Sequence, residues 1–502
     1  MKQGKTRIYT EIGSDNFIDL RKDTPFISDK PFSWWIEKNQ LPLHITYAPF
    51  VRKNIASFKK VFKQYYPNGG LRFAVKSFPY PQLLKIILEE DIGVDVASYN
   101  ETKCALETGF LADSIDLNGN CKEDSLLELS ISKGILIIAD SFEEFKLISQ
   151  IAQRLKKKAE VVLRLSGFAL TGATADNIMT SAEWSKFGVN TKEVPAFINT
   201  LSKHKFVKFL GFHTHIGSQV SEVEPFLLVL GQMIELGHLL LNKGIDCRII
   251  NLGGGYPVSY ITKFQWKERL ARIQEGYLAS KQGDMSKVHV WQNSIDGFAL
   301  NEDGSIAFDN WVGEKFYTKY PKEKMLEAIL KGKVLVDGKA VNTVKALEQI
   351  GSPDIVIEPG RSIVGDTGIT LAKVSQVRKT SFNHYLTTLE IGSTNLCESM
   401  LFAPIRNWEL LTNNKCCDEK TFETFLAGNL CFSADILAKH KVALRRKPCR
   451  GDIIMARDTG AYNSHFLASN ANSYPRPTCL LIADNGSIIT IKKRDTYKQI
   501  FS

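Results

Sequence analysis

Phe73-Ala74-Val75-Lys76-Ser77-Phe78-Pro79 puts a single lysine at the end of an apolar, strand-like run. An ammonium is costly to bury unless something there uses it. Two readings stand on this stretch alone: Lys76 snorkels to the surface, or its amine is activated to form a Schiff base with a carbonyl compound. Asn251-Leu252-Gly253-Gly254-Gly255-Tyr256-Pro257 runs a strand into three glycines, whose bare amides approach an anion such as phosphate closely. A tight turn explains the same triplet. Glu358-Pro359-Gly360-Arg361-Ser362 follows another apolar strand. Its arginine suits a phosphate and its carboxylate suits a ring nitrogen that must stay protonated; a surface Glu–Arg pair is the alternative. His213 and His215 share one face of a strand. No third metal ligand lies near them in sequence, so ring stacking by one of them is expected and no metal site. Gly460-Ala461-Tyr462 and Asn429-Leu430-Cys431-Phe432-Ser433-Ala434-Asp435 say little alone.

The elements that must position these residues alternate. Short buried runs such as 93–98, 114–117, 134–139, 159–164, 207–213, 249–252 and 355–358 are separated by helix-period stretches at 51–66, 81–89, 100–108, 124–132, 142–155, 194–203 and 223–242. About eight such units imply a parallel (β/α)8 barrel, with an open doubly wound sheet as the alternative on pattern alone. Residues 266–345 break the rhythm with Trp266, Trp291, Trp311, Phe316, Tyr317, Tyr320 and a turn at Asn301-Glu302-Asp303-Gly304. They read as an insertion, either a lid or a surface elaboration. Beyond about residue 375 the period changes to two, over 386–391, 451–455, 478–482 and 487–492, with a hairpin turn at Asp484-Asn485-Gly486. The expected division is an N-terminal segment 1–47 joining the β domain, a barrel over 48–375 with the insertion at 266–345, and a mainly antiparallel β domain over 376–502.

Bulk properties narrow the classes. The 502 residues carry a net charge of +10, are 44% hydrophobic and 24% charged, and cluster their basic residues only at Lys156-Lys157-Lys158 and Arg445-Arg446-Lys447. Those read as solvated faces, so nucleic acid is not an expected partner. Nine cysteines show no CxxC, and adjacent Cys416-Cys417 suit neither a disulfide nor zinc. The first residues lack an apolar leader, and no run approaches about 18 uninterrupted apolar residues. A reduced, cytoplasmic protein with no membrane partner is the expectation.

In their order, these stretches resemble the fold-type III pyridoxal-phosphate decarboxylases, the group of diaminopimelate, ornithine and biosynthetic arginine decarboxylases. The resemblance runs from about residue 44 to the end, interrupted by the insertion. It implies an alanine-racemase-type barrel, a C-terminal β domain and pyridoxal 5'-phosphate as cofactor. It implies that Lys76, in Phe-Ala-Val-Lys-Ser, carries the cofactor as a Schiff base, and that Asp95 and Ser98 line its pocket. His215 would stack on the pyridine ring, Glu358 would pair with its nitrogen, and Ser218, Gly254, Gly255, Gly360, Arg361 and Tyr462 would hold the phosphate. Cys431 would be the catalytic cysteine, acting in the partner subunit's site, which implies a homodimer with shared active sites. Catalytic roles thus fall to Lys76, His215 and Cys431. An acidic residue at the ring nitrogen favours decarboxylation, since a protonated ring accepts the electron pair that leaving CO2 releases.

The chain departs from its relatives on the substrate side. Phe432 replaces the acidic residue that follows the family's cysteine, and Cys397-Glu398-Ser399-Met400-Leu401-Phe402-Ala403-Pro404 lacks the arginine that holds a substrate carboxylate. Both argue against diaminopimelate itself; a diamino acid or a larger modified derivative is expected, the aromatic insertion pointing to the larger or modified one. The closing Ile491–Tyr497 resembles a subgroup acting on D-ornithine and D-lysine. A racemase or epimerase on the same fold, and an inactive regulatory homologue, are the rival readings.

Overall fold

The computed structural model describes residues 17–20, 25–170, 179–284, 290–291, 294–295, 298–299, 302, 317–381, 383–396, 405–412, 420–467 and 469–501. Cys397–Pro404, Cys416-Cys417, Trp311, Phe316 and most of the Asn301–Gly304 turn lie outside the described residues. Two compact units emerge: one of Met1–Val51, Val258–Tyr317 and Val364–Ser502, the other of Arg52–Pro257 and Thr318–Ile363.

The second unit is a closed parallel barrel of eight strands. Gly69–Ala74, Gly93–Val96, Ile115–Leu117, Leu136–Ala139, Ala159–Ser166, Val207–His213, Ile249–Asn251 and Asp354–Ile357 pair in chain order, and the last returns to the first through Ile355 opposite Gly69. Each is short and nearly all apolar because a barrel strand is covered on both faces. The helices between them carry their own boundary signals. Ser98 and Ser141 accept hydrogen bonds from the backbones of Glu101 and Glu144 at two N-termini, and Pro81 opens a third helix. The stretch 194–203 is shorter than expected: a helix covers Val194–Ile198 and a separate 3₁₀ turn covers Leu201–Lys203.

Glu224–Leu241 is long and apolar enough to cross a membrane by length and composition. Its packing gives a second account of that composition. Residues of several of its faces, including Phe226, Val229, Leu230, Met233, Ile234 and Leu240, are buried. A hairpin of Lys333–Val336 and Lys339–Asn342 lies against it, turning at Asp337-Gly338 with both residues at positive φ. At Gly231 the approach is so close that a Cβ would stand 2.4 Å from the Leu335 carbonyl oxygen.

The first unit is a mainly antiparallel sheet running 436–444, 422–427, 385–389, 368–379, 43–47, 478–482, 488–492. Leu43–Tyr47, from the N-terminal segment, sits inside it between Gly368–Lys379 and Thr478–Ile482. The Asp484-Asn485-Gly486 turn closes the last hairpin with Gly486 at φ 77°. Residues 266–345 are not one body: 258–317 go with the sheet and 318–363 with the barrel. Trp266 is a buried residue of a 19-residue helix, Lys263–Lys281, opened by a Thr262/Gln265 capping box.

Gly231 lies mid-helix, where alanine normally gains about 1 kcal/mol. Gly231→Ala should instead destabilise the protein by roughly 1–3 kcal/mol through overpacking against Leu335. Urea denaturation of the two proteins checks the sign.

Candidate active site at the C-terminal end of the barrel

The expected residues of the barrel gather where its strands end, the face on which barrels carry their chemistry. The first strand stops at Ala74, two residues before Lys76, and Lys76 sits in a single 3₁₀ turn, Val75–Ser77. Ser77 Oγ donates to the Ala74 carbonyl at 2.8 Å and the Phe78 N–H donates to Val75 at 2.9 Å, so the chain bends there. Lys76 is half-buried.

Glu358, one residue past its strand, is 3% exposed. Asn251 Nδ2 donates to its Oε1 at 2.8 Å, and His213 Nε2 lies 3.2 Å from Oε1 and 3.3 Å from Oε2. Burial pushes the Glu358 carboxyl up to about 7; Lys76 opposes this and Asp116 reinforces it. Asp95, also 3% exposed, is raised well above the usual carboxylate range by burial and by Glu358, against the pull of Lys76. Its Oδ1 has no hydrogen-bond partner among the described residues. His213 and His215 are both held well below the ordinary histidine value, first by burial and then by nearby cations: Arg164 ahead of Lys76 for His213, Lys76 ahead of Arg164 for His215. The His213–Glu358 contact is therefore not an ion pair without a ligand: burial drives both groups toward neutrality.

A second cluster forms beside it. The Gly254 N–H donates to His215 Nδ1 at 2.9 Å. Gly255, at φ 98°, lies so close to Gly217 that a Cβ would stand 2.8 Å from its carbonyl oxygen. Arg361 reaches Ser218 Oγ with Nη2 at 3.2 Å and Nε at 3.4 Å. A Cβ on Gly360 would meet the Ser77 side chain at 2.9 Å, which ties this cluster back to the turn that carries Lys76. Bare amides, a hydroxyl and a guanidinium suit a phosphate, while an amine, a buried carboxyl and an unpartnered Asp95 oxygen suit a cationic aromatic aldehyde. The residues present fit pyridoxal phosphate.

Ser98 caps the helix Tyr99–Thr108, so its hydroxyl is used structurally. Cys431 and Tyr462 belong to the sheet unit. Cys431 is exposed and donates its backbone N–H to Asn472 Oδ1 at 2.9 Å; Tyr462 has φ 50° and packs edge-on against Phe466 at 5.1 Å. Sequence reasoning missed the supporting shell. Arg164, 4% exposed, donates to Asn118 Oδ1 at 3.4 Å and lies 3.6 Å from Asp140; Asp116, fully buried, accepts from Arg72 Nε at 3.0 Å. For Asp116 the available signal was a lone charge between two apolar strand residues, akin to the one that singled out Lys76.

The folded-state value of Glu358 stands above its ordinary 4.5. The protonated carboxyl is thus favoured by folding, and stability is full below that ordinary value and falls as pH rises through about 7. Relative to Glu358→Gln, ligand-free wild type should lose on the order of 3 kcal/mol across this window. Urea midpoints at a series of pH values check it; a pH-independent difference would show that the carboxyl ionises as freely as in water.

Residues 51–291 match the family described as pyridoxal-dependent decarboxylase, pyridoxal binding domain. The chain is similar to the diaminopimelate decarboxylase of Staphylococcus aureus, 27% identical over 456 residues that take in 90% of each chain. Among solved structures it resembles the diaminopimelate decarboxylase of Methanocaldococcus jannaschii in complex with L-lysine, with a TM-score of 0.75, 22% identity and coverage of 97% of this chain and 98% of that one. A lysine/ornithine decarboxylase from Vibrio vulnificus complexed with putrescine matches with a TM-score of 0.63 and 17% identity, over 89% of this chain and 95% of that one. Residues 51–291, which hold the lysine turn and the glycine triplet, carry the pyridoxal binding domain of the pyridoxal-dependent decarboxylases, and the fold is that of the fold-type III members.

Proposed function

We propose that this chain is a pyridoxal-phosphate-dependent carboxy-lyase that releases CO2 from a diamino acid or a larger modified derivative. The observation that carries the reading is Glu358. A carboxyl, not a guanidinium, stands buried at the strand end beside Asn251 and His213. When bound there, pyridoxal phosphate supplies a ring that takes up the electron pair left by departing CO2. Lys76 attaches the group through its amine. Gly254, Gly255, Gly360, Arg361 and Ser218 hold the phosphate. Glu358 holds a proton at the ring nitrogen, and Asp95 and His215 flank the ring. Cys431 returns a proton to the substrate carbon as a general acid contributed across a homodimer. Its exposure, and that of Phe432 beside it at 54%, fit a loop that acts on another subunit. The reading places the enzyme in the cytoplasm, with no nucleic-acid or membrane partner.

The substrate class rests on the relatives: diaminopimelate decarboxylases, one in complex with L-lysine, and a lysine/ornithine decarboxylase. Phe432 in the place of an acidic residue turns the choice away from diaminopimelate. A CO2-release screen over L- and D-lysine, L- and D-ornithine, arginine, diaminopimelate and N-modified diamino acids should give one productive class. Exchange of the substrate's α-hydrogen with solvent and no CO2 from any of them would establish the racemase reading instead. Borohydride treatment of the holoenzyme should leave a phosphopyridoxyl adduct on the Lys76 peptide by mass spectrometry. An adduct on any other peptide, with that of Lys76 unmodified, overturns the assignment.

The shared site predicts complementation. Lys76→Ala and Cys431→Ala should each be inactive, and their mixed, reassociated dimers should recover about a quarter of wild-type activity, because half the dimers are mixed and each holds one intact site. Mixtures as inactive as the parents would place Cys431 in its own subunit's site or outside catalysis.

A further inference from the structure

His213 lies two residues before His215 and is fully buried. Its Nε2 sits between both oxygens of Glu358, at 3.2 and 3.3 Å. Its Nδ1 is buried without a hydrogen-bond partner among the described residues. The ring is surrounded by charged groups from several strands. Arg164 comes from Ala159–Ser166, Asp116 from Ile115–Leu117, and Lys76 and Lys122 from turns; burial and the cations hold the ring neutral. A neutral imidazole has one proton. On Nδ1 that proton would be a buried donor with nothing to receive it, which is costly. On Nε2 it faces the two oxygens of Glu358.

Asn118 does not compete for this place. Its Nδ2 stands 3.4 Å from the same nitrogen, at the outer limit of a hydrogen bond, and its Oδ1 accepts from the Gly119 N–H at 3.0 Å and from Arg164 at 3.4 Å. That leaves its NH2 group facing the nitrogen, but farther off than either Glu358 oxygen. Among the described residues Glu358 therefore has two side-chain donors, Asn251 Nδ2–H on Oε1 and His213 Nε2–H between the oxygens.

We propose that His213 is a positioning residue for Glu358: its Nε2–H holds the carboxylate in place, charged, as the partner of the cofactor's ring nitrogen. The inference rests on the reading of this pocket as a pyridoxal-phosphate site. It separates the histidines by task. His215 lies against the Gly254 amide, at the edge of the phosphate cradle, and His213 acts only through Glu358. A ring nitrogen that carries a proton gains from a carboxylate whose second donor is already in place. A ring without that nitrogen gains nothing.

The test is a binding cycle with two probes, pyridoxal phosphate and its 1-deaza analogue, in which CH replaces the ring nitrogen. Dissociation constants are read by fluorescence titration of the ligand-free wild type, His213→Phe, His213→Asn and His213→Gln. His213→Phe should weaken pyridoxal phosphate by about tenfold and leave the deaza analogue unchanged. His213→Asn, whose amide ends at the Nδ1 position, should behave as His213→Phe and serves if the latter fails to fold. His213→Gln, whose amide reaches the Nε2 position, should restore most of the loss. Equal weakening of both probes would mean that His213 only packs the site, and unchanged binding of both would mean that Glu358 does not need it; either overturns the inference. A wild type that binds neither probe would instead overturn the reading of the pocket.

Discussion

A carboxyl group buried to 3% exposure in the middle of a barrel is expensive, and much of the site geometry is an answer to Glu358. Asn251 and His213 donate to it from two neighbouring strands, and the Lys76 ammonium draws it down while burial pushes it up to about 7. Asp95 carries the same burden, raised by burial and by Glu358 itself. Two such carboxyls near one lysine are both held toward their neutral forms while the pocket is ligand-free. On the proposed reading, a cationic ring entering there favours the charged carboxylate, so the cost of burying Glu358 would become binding specificity for a protonated ring.

The barrel makes that concentration possible. Parallel strands bring their C-terminal ends to one face, and the endings contribute an amine after Gly69–Ala74, asparagine amides after Ile115–Leu117 and at the end of Ile249–Asn251, an imidazole at the end of Val207–His213 and a carboxyl after Asp354–Ile357. Below them most strand residues are apolar and buried. Gly231 shows how tightly, since its missing side chain is what lets the Leu335 backbone lie on the helix. A rigid lower barrel holds strand ends in register, which is why side chains on separate elements meet within hydrogen-bond distance.

Much of this was legible in the sequence, for physical reasons. A strand buried on both faces must be short and apolar, so the eight strands announced themselves, and a lysine or glutamate at such an ending had to be used or paired. The Asp484-Asn485-Gly486 turn was readable because only a few residues adopt its positive φ. Other features were not local. Asn118, Asp116 and Arg164 gain meaning only from partners on other strands, and a sequence does not print distances between strand ends. His213 and His215 looked equivalent at i, i+2, yet one meets Glu358 and the other the Gly254 amide. Residues 266–345 lost the barrel's rhythm because they divide between two units, and rhythm alone cannot show where a chain changes partners.

The loop that carries Cys431 is built on a separate principle. Asp435 anchors it: one oxygen accepts from the Ser393 N–H at 2.6 Å, the other from the Leu430 N–H at 2.8 Å, and the Gly428 N–H donates to the Asp435 carbonyl at 2.9 Å. Gly428 has no side chain because a Cβ would stand 2.1 Å from that carboxylate. With its backbone fixed this way, the loop leaves Cys431, Phe432, Ser433 and Ala434 facing outward. None of these four bears a carboxylate. Whatever this surface covers meets a thiol, an apolar ring, a hydroxyl and a methyl, and finds no fixed negative charge for a distal ammonium.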